Sequence, residues 1–131
     1  HKKFNDYIKD LNKIYLEQEC LWYDDFTQAG FEWIDCDDAD RSVVSFVRKS
    51  PNDFVIFVCN FTPVPLLNHR IGVPFAGFYK EIFNSDDLKY GGSGIINQDM
   101  IISQNINYNG RENSINIKVP PLGICVFKKN S

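Results

Sequence analysis

The segment NFTPVPLLNHRIGVP, residues Asn60 to Pro74, decides how the chain is organised. It follows an unbroken apolar run, Phe54 to Cys59, and contains half of the chain's six prolines. Proline lacks the N–H that a central strand donates, so the sheet is predicted to release the chain near Thr62. Because its side chains are mostly apolar, we expect the released segment to be a stiff structural loop rather than a ligand-binding loop. A sharp strand crossover between two sheets is the simpler alternative.

Around this segment, short runs rich in β-branched and aromatic residues predict strands. The clearest is SINIKV, in which Ile115, Ile117 and Val119 alternate with polar residues. KSPN at 49–52 and NG at 109–110 predict tight turns. The predicted strands are 42–48, 53–61, 77–84, 114–119 and 123–129. This spacing predicts a mainly β fold, an antiparallel β-sandwich.

Apolar residues at helical spacing predict one amphipathic α-helix ahead of the sandwich. The stripe consists of Phe4, Tyr7, Ile8, Leu11, Ile14 and Tyr15. A helix of this size is marginal without tertiary packing, and the sandwich is expected to cover mainly the end near Ile14 and Tyr15. We expect the rest of the stripe to be exposed, frayed or covered by a second copy of the chain. Those residues are Phe4, Tyr7, Ile8 and Leu11.

Composition and cysteine spacing limit the class of protein. The chain has 131 residues, 44% hydrophobic and 24% charged, which is ordinary for one globular domain. A formal net charge of -3 argues against nucleic acid as a partner. The cysteines, at 20, 36, 59 and 125, have no metal-binding spacing, and Cys59 and Cys125 lie in apolar runs. With no signal peptide and no membrane-length apolar run, we expect a cytoplasmic protein with reduced thiols, and a disulfide is the alternative.

Three local patterns could indicate chemistry, but each has a simpler structural explanation. The acidic run Asp35 to Asp40 lacks the glycine and the distal glutamate of a calcium loop, so a solvated turn is predicted. GGSG at 91–94 lacks the lysine of a phosphate-binding loop and is predicted to be a flexible loop. His69 has no serine or cysteine signature nearby and is predicted to be a hydrogen-bonded loop residue. No cofactor, metal site or catalytic residue is predicted in this chain.

Trp22 and Trp33 are candidate sugar contacts, because flat amphipathic rings stack on the C–H faces of sugars with polar groups alongside. The neighbouring polar residues are Asp24, Glu32 and Asp35. Tyr90, beside the glycines, is a further candidate contact. A packing role is the simpler interpretation of each tryptophan.

Six blocks of sequence, in order along essentially the whole chain, resemble the C-terminal part of bacterial 1,4-α-glucan branching enzymes. The most specific are GFEWIDCDDADRSVVSFVRK at 30–49 and NFTPVPLLNHRIGVP at 60–74. The others are LNKIY at 11–15, YKEIFNSD at 79–86, YGGSG at 90–94 and PPLGICVF at 120–127.

The resemblance implies that residues 1–17 are the last helix of a truncated (β/α)8 barrel, 18–41 a connecting segment, and 42–131 a C-terminal β-sandwich of the α-amylase type. Such enzymes transfer α-1,4-glucan segments to form α-1,6 branches in glycogen biosynthesis. Their catalytic carboxylates lie in barrel motifs absent from this sequence, so the chain alone is expected to be inactive. Its implied roles are to stabilise the catalytic barrel of the same polypeptide and to help hold the glucan.

Two other functions stay open at this stage. An autonomous carbohydrate-binding module for α-glucans would present an exposed aromatic platform, whereas a structural domain would expose apolar surface toward a missing barrel. A small hydrolase would need carboxylates that converge in a cleft. Self-association through the uncovered part of the helix stripe is also expected, and neither a membrane nor nucleic acid is an expected partner.

Overall fold

The computed structural model describes residues 2–17, 30–38 and 43–130. These residues form one α-helix, one short 3₁₀ helix (Leu88–Tyr90) and eight strands. The helix is α1, Lys2–Glu17, and the first four strands are β1 (Phe31–Asp38), β2 (Val43–Ser50), β3 (Asp53–Asn60) and β4 (Leu66–Val73). The remaining strands are β5 (Phe78–Asn84), β6 (Ile101–Ile102), β7 (Asn113–Val119) and β8 (Gly123–Lys129).

The strands form two antiparallel sheets that face each other. Six strands lie in the order β1-β2-β3-β8-β5-β6, and β4 pairs with β7 in the second sheet. The core between the sheets contains Ile56 and Phe127 from the first sheet and Ile71 and Ile117 from the second, all essentially inaccessible to solvent. This arrangement confirms the predicted β-sandwich with a preceding helix.

The segment after Asn60 carries the chain from one sheet to the other. The sheet does release the chain near Thr62, but residues 66–73 then form β4 and pair with β7. The prediction that the whole released segment is a stiff loop is therefore wrong. The alternative, a sharp strand crossover between the two sheets, is correct. Pro63 and Pro65 precede the strand and Pro74 follows it, so none of them removes a ladder hydrogen bond from β4.

Strand β1 lies inside the segment 18–41 that the resemblance assigns to a connection. It pairs with β2 from Phe31 to Asp38 and forms one edge of the larger sheet. The predicted acidic turn is therefore wrong where residues 35–38 continue this strand, while residues 39 and 40 lie outside the described part of the chain. The division into barrel helix, connection and sandwich stays a prediction.

Helix α1 packs on the outer face of the larger sheet, the face turned away from β4 and β7. Ile14 packs against this face, as predicted. Tyr7 also packs there, edge-on to Phe83 at 5.4 Å between ring centroids, so its predicted exposure is wrong. Ile8 is exposed, as expected. The side chains of Phe4, Leu11 and Tyr15 lie outside what the structure describes.

Two smaller predictions are confirmed. Asn109 and Gly110 both have positive φ, and Tyr108 and Arg111 exchange backbone hydrogen bonds across them, as in a tight hairpin turn. Cys59 and Cys125 are buried free thiols. Among the described residues, no helix is long and apolar enough to span a membrane.

Candidate functional site

A row of aromatic side chains crosses the outer face of the larger sheet and ends at Trp33. Trp33 is 49% exposed and meets the rings of Phe31 and Phe46 edge-on, at 5.0 and 5.8 Å between centroids. Phe46 also stacks on Phe31 at 5.0 Å and on Phe57 at 5.1 Å. The indole is thus fixed at its base and leaves about half of its surface open at the sheet edge.

Strand register explains why these rings meet. Trp33 lies directly opposite Phe46 in the β1–β2 pair, and Phe46 lies directly opposite Phe57 in the β2–β3 pair. Side chains two residues apart in a strand share a face, which places Phe31 beside Trp33. Directly opposed aromatic rings are among the favourable cross-strand pairs. The exposed tryptophan is therefore held by packing on three strands.

Ion pairs on the other side of β1 fix its position. The Arg111 guanidinium donates from Nη2 to Glu32 Oε2 at 2.7 Å and lies 3.5 Å from the backbone oxygen of Trp33. Lys49 Nζ lies 3.8 Å from Glu32 Oε1. Glu32 was a predicted polar neighbour for a sugar on Trp33, but alternation places it on the opposite face. Asp35 is half-buried, and Asp24 lies outside the described residues.

Tyr90 holds helix α1 against the sandwich. Its hydroxyl donates to Asp10 Oδ2 at 2.5 Å, and its ring lies 5.2 Å from Tyr7 and 5.8 Å from Phe83. Lys89 Nζ lies 5.2 Å from the centroid of the Tyr90 ring and 3.3 Å from Asp10 Oδ2. The Tyr90 hydrogen bond lowers the pKa of Asp10, and burial and the Asp10 carboxylate raise the pKa of Tyr90. The geometry gives Tyr90 a packing role.

The structure does not bring the candidate sugar contacts into one site. Trp33 lies on the edge strand β1, whereas Tyr90 follows β5, and β2, β3 and β8 lie between those strands. Trp22 lies outside the described residues. Trp33 is therefore the candidate whose open ring face the structure describes.

The glycine-rich segment folds around one carboxylate, and its predicted flexibility stays a prediction. Asp86 accepts hydrogen bonds from the Ser93 N–H at 3.0 Å, the Ser93 hydroxyl at 2.7 Å and the Ile95 N–H at 2.9 Å. A Cβ on Gly92 would lie 2.2 Å from the Asp86 backbone oxygen, which only glycine avoids. The loop turns inward onto a side chain of its own.

A second carboxylate network, which the sequence patterns do not indicate, joins the two sheets. Glu81 accepts from the Asn97 N–H and side chain at 3.1 and 2.7 Å and from the Asn84 side chain at 3.0 Å. Asn97 also exchanges hydrogen bonds with the backbone of Lys118 in β7. Burial raises the pKa of Glu81, although these hydrogen bonds oppose the shift. All three hydrogen bonds to Glu81 come from groups of the sandwich itself. Glu81 therefore links β5 to β7 through Asn97.

A cleft of about 800 Å³ lies between the β2–β3 turn and the segment that joins β4 to β5. Its lining includes Phe54, Phe75 and the carboxylates of Glu32 and Asp53. Glu32 is ion-paired with Arg111 and Lys49, and Asp53 with Lys128. Carboxylates held in this way are not arranged as a general acid and a nucleophile facing a substrate. The cleft therefore gives the hydrolase alternative no support.

The remaining candidate residue, His69, has a structural position in the sandwich. His69, predicted in a loop, is buried in β4 opposite Ile117, because the segment forms a strand. Among the described residues, no group of three His, Cys, Asp or Glu side chains could hold a metal ion.

Comparisons with known proteins agree with this architecture. A sequence profile described as "Alpha amylase, C-terminal all-beta domain" matches residues 33–130. A 1,4-alpha-glucan branching enzyme GlgB from Nitrosococcus oceani is 50% identical over 128 residues, covering 98% of this chain and 17% of that protein. The GlgB of Prochlorococcus marinus strain NATL1A is 45% identical over 133 residues, covering 100% of this chain and 18% of that protein. The resemblance to branching enzymes is confirmed, and the chain spans less than a fifth of these relatives.

The crystal structure of an alpha-amylase from H.orenii has a similar fold. It matches with a TM-score of 0.54 and 18% identity, covering 95% of this chain and 20% of that chain. At this identity the likeness concerns the fold alone.

Proposed function

The chain belongs to the family of alpha-amylase C-terminal all-beta domains, and from this membership we propose that it is the non-catalytic C-terminal domain of a 1,4-α-glucan branching enzyme. The parent enzyme transfers α-1,4-glucan segments to form α-1,6 branches. The observation that carries the proposal is the match of 98% of this chain, at 50% identity, to part of a GlgB enzyme. The domain stabilises the catalytic barrel of the same polypeptide and helps hold the glucan.

The absence of barrel motifs predicts that the chain alone is inactive. Purified chain incubated with amylose should leave the iodine stain unchanged and produce no α-1,6 linkages. The longer enzyme that contains this chain should produce α-1,6 linkages under the same conditions and serves as the positive control. New α-1,6 linkages from the chain alone would contradict the prediction, and an inactive longer enzyme would contradict the proposed function.

We infer that Trp33 contacts glucan in the longer enzyme. A half-open indole braced by Phe31 and Phe46 offers a rigid apolar face at little cost in conformational entropy, which suits stacking on a sugar ring. Tyr90 is a weaker candidate because its ring is already in contact with Tyr7, Phe83 and Lys89. Trp22 stays a prediction from sequence.

Replacing Trp33 with alanine should weaken maltoheptaose binding by the longer enzyme about tenfold, which corresponds to about 1.4 kcal/mol. Calorimetric titration measures the change. The matched control is Phe75→Ala, which removes an exposed ring elsewhere on the sandwich and should leave affinity unchanged. Equal affinities for the Trp33→Ala variant and the wild type, with both proteins folded, would contradict the contact.

An autonomous α-glucan-binding module is the competing function. The exposed face of Trp33 favours it, and it predicts that the 131-residue chain binds glycogen by itself as tightly as the longer enzyme does.

A cytoplasmic location belongs to the proposal, supported by the free thiols of Cys59 and Cys125. Self-association through the helix stripe is supported by the exposure of Ile8 and opposed by the packing of Tyr7 on Phe83.

A further inference from the structure

The outer face of the smaller sheet, formed by β4 and β7, is polar. Ile71 and Ile117 point into the core, so the residues that alternate with them lie on the outer face. These residues include Arg70 in β4 and Asn116 and Lys118 in β7. This face is turned away from the larger sheet and therefore from Trp33.

Side-chain amides dominate the chain around this face. Residues 97–116 contain eight Asn or Gln residues and three charged ones. Asn is depleted in strands, yet Asn116 lies inside β7, directly opposite Arg70. Its exposed amide has no hydrogen-bond partner among the described residues. The fold therefore does not account for Asn116.

Arg70 is held in place by neutral groups. Its Nη1 donates to Ser114 Oγ and its Nη2 donates to Gln104 Oε1, both at 2.8 Å. Within the part of the chain that the structure describes, no carboxylate forms an ion pair with Arg70. A guanidinium has five N–H groups, so donors remain for a ligand oxygen. We call Arg70, Gln104, Asn116 and Lys118 the amide strip.

An exposed aromatic ring lies at one end of the amide strip. A Cβ on Gly72 would lie 2.2 Å from the backbone oxygen of Tyr108, so glycine lets the hairpin at 108–111 lie against the outer face of β4. Asn109 Oδ1 accepts from the Gly72 N–H at 2.8 Å, which fixes the hairpin there. The Tyr108 side chain is 43% exposed. An amphipathic ring on a fixed backbone beside polar groups suits stacking on a sugar.

A small groove lies at the other end of the amide strip. Its volume is about 370 Å³, and its lining includes Asn97, Gln98, Met100 and Lys118. The Asn97 side chain donates to the Lys118 backbone oxygen and accepts from the Lys118 N–H, both at 2.9 Å. The groove, the amide strip and the Tyr108 ring therefore follow one another along β7.

We propose that the amide strip binds an α-1,4-glucan chain, an assignment that rests on the proposed function. Amides both donate and accept hydrogen bonds, as sugar hydroxyl groups do, so an uncharged polyhydroxyl chain matches this surface. A phosphate-bearing chain fits poorly, because Asp99 lines the groove and repels anions. Since Trp33 lies on the opposite face of the sandwich, the domain holds glucan on two separate faces.

The test is a titration of the 131-residue chain with maltoheptaose, followed by the amide signals in ¹H–¹⁵N NMR spectra. The signals of Gln104, Asn116 and Lys118 should shift on binding, and they should shift equally in a Trp33→Ala variant. This variant separates the amide strip from the contact proposed for Trp33.

A Tyr108→Ala and Asn116→Ala double variant should bind maltoheptaose at the amide strip about tenfold more weakly. Neither side chain forms a hydrogen bond with another described residue, so the variant should keep the wild-type fold. The matched control is Phe78→Ala and Asn52→Ala, which removes an exposed ring and an exposed amide elsewhere on the sandwich and should leave affinity unchanged.

Three results would overturn the assignment to the amide strip: shifts confined to the residues around Trp33, no shifts at all, or wild-type affinity at the strip in the double variant. Branching activity of the longer enzyme is measured separately. A longer enzyme that forms no α-1,6 linkages, while maltoheptaose still shifts the signals of the amide strip, would refute the proposed function and leave the binding site in place.

Discussion

Replacing Asn60 with alanine should destabilise the chain by about 3 kcal/mol and lower its thermal midpoint by about 10 °C. The Asn60 side chain is buried at the end of β3, where the chain leaves the first sheet. It donates to the backbone oxygens of Val64 and Pro120, and its Oδ1 accepts from the Thr62 N–H at 2.9 Å and hydroxyl at 2.7 Å. Alanine would leave these groups without their partner at the point where the sandwich is closed.

The control for this change is Asn116→Ala, which removes the same side chain from an exposed position in β7. Surface substitutions of this kind usually change stability by less than about 0.5 kcal/mol. Thr62→Val should have an intermediate effect of about 1 kcal/mol, because it removes the hydroxyl and leaves the Asn60 amide. Urea denaturation of the three variants measures the differences. Equal stabilities of Asn60→Ala and Asn116→Ala would show that this network does not support the crossover.

The prolines of the crossover explain what the sequence predicts there and what it does not. Pro63 and Pro65 mark the exit from the first sheet correctly, because neither can donate to a ladder. The entry into the second sheet is hidden, since Leu66 to Val73 has no clean alternation of apolar and polar residues. A register shift lies between Leu66 and His69, and the buried His69 reads as a polar residue in the sequence.

Strand β1 is hidden for a different reason. Aspartate is depleted in strands, and residues 35–38 contain three of them. The strand is stabilised by contacts that are distant in sequence, above all the ion pair between Glu32 and Arg111 and the packing of Trp33 on Phe46. The chemistry of its ring is enough to predict that Trp33 is a candidate sugar contact. The exposure of one face of that ring depends on the position of Trp33 in an edge strand.

Tyr90 is the opposite case, a ring expected to be exposed that the structure packs against α1. Its position beside the glycines suggests an exposed ring, yet its hydroxyl bonds to Asp10, which is eighty residues earlier in the chain. The helix stripe predicts that α1 needs a partner, and Ile14 confirms it. Which residues of the stripe pack against the sandwich depends on the loop that follows β5, because that loop carries Tyr90. The conformation of the loop depends in turn on Asp86.

Replacing Asp86 with alanine should destabilise the chain by about 2 kcal/mol and release α1 from the sandwich. Three hydrogen bonds to the Asp86 carboxylate fold residues 86–95 into a compact loop, and Gly92 fits against its backbone. The same loop carries Lys89 and Tyr90 to Asp10 on the helix. Hydrogen exchange should therefore speed up in α1 as well as in the loop, while the exposed Asp99→Ala control should change neither.

The stability difference between wild type and the Asp86→Ala variant should also depend on pH. Burial alone would raise the pKa of Asp86, but the hydrogen bonds from the Ser93 hydroxyl and from backbone N–H groups outweigh it and hold the pKa below its ordinary value. A carboxylate with a lowered pKa contributes its full stabilisation above its ordinary pKa and loses it as the pH falls through the lower value. The difference should therefore be constant near neutral pH and narrow below about pH 4. Asp10 adds to this narrowing, because the Tyr90 hydrogen bond that lowers its pKa in the wild type is lost when α1 is released in the variant. A difference that stays constant down to pH 2 would mean that the charge of Asp86 is not what orders the loop.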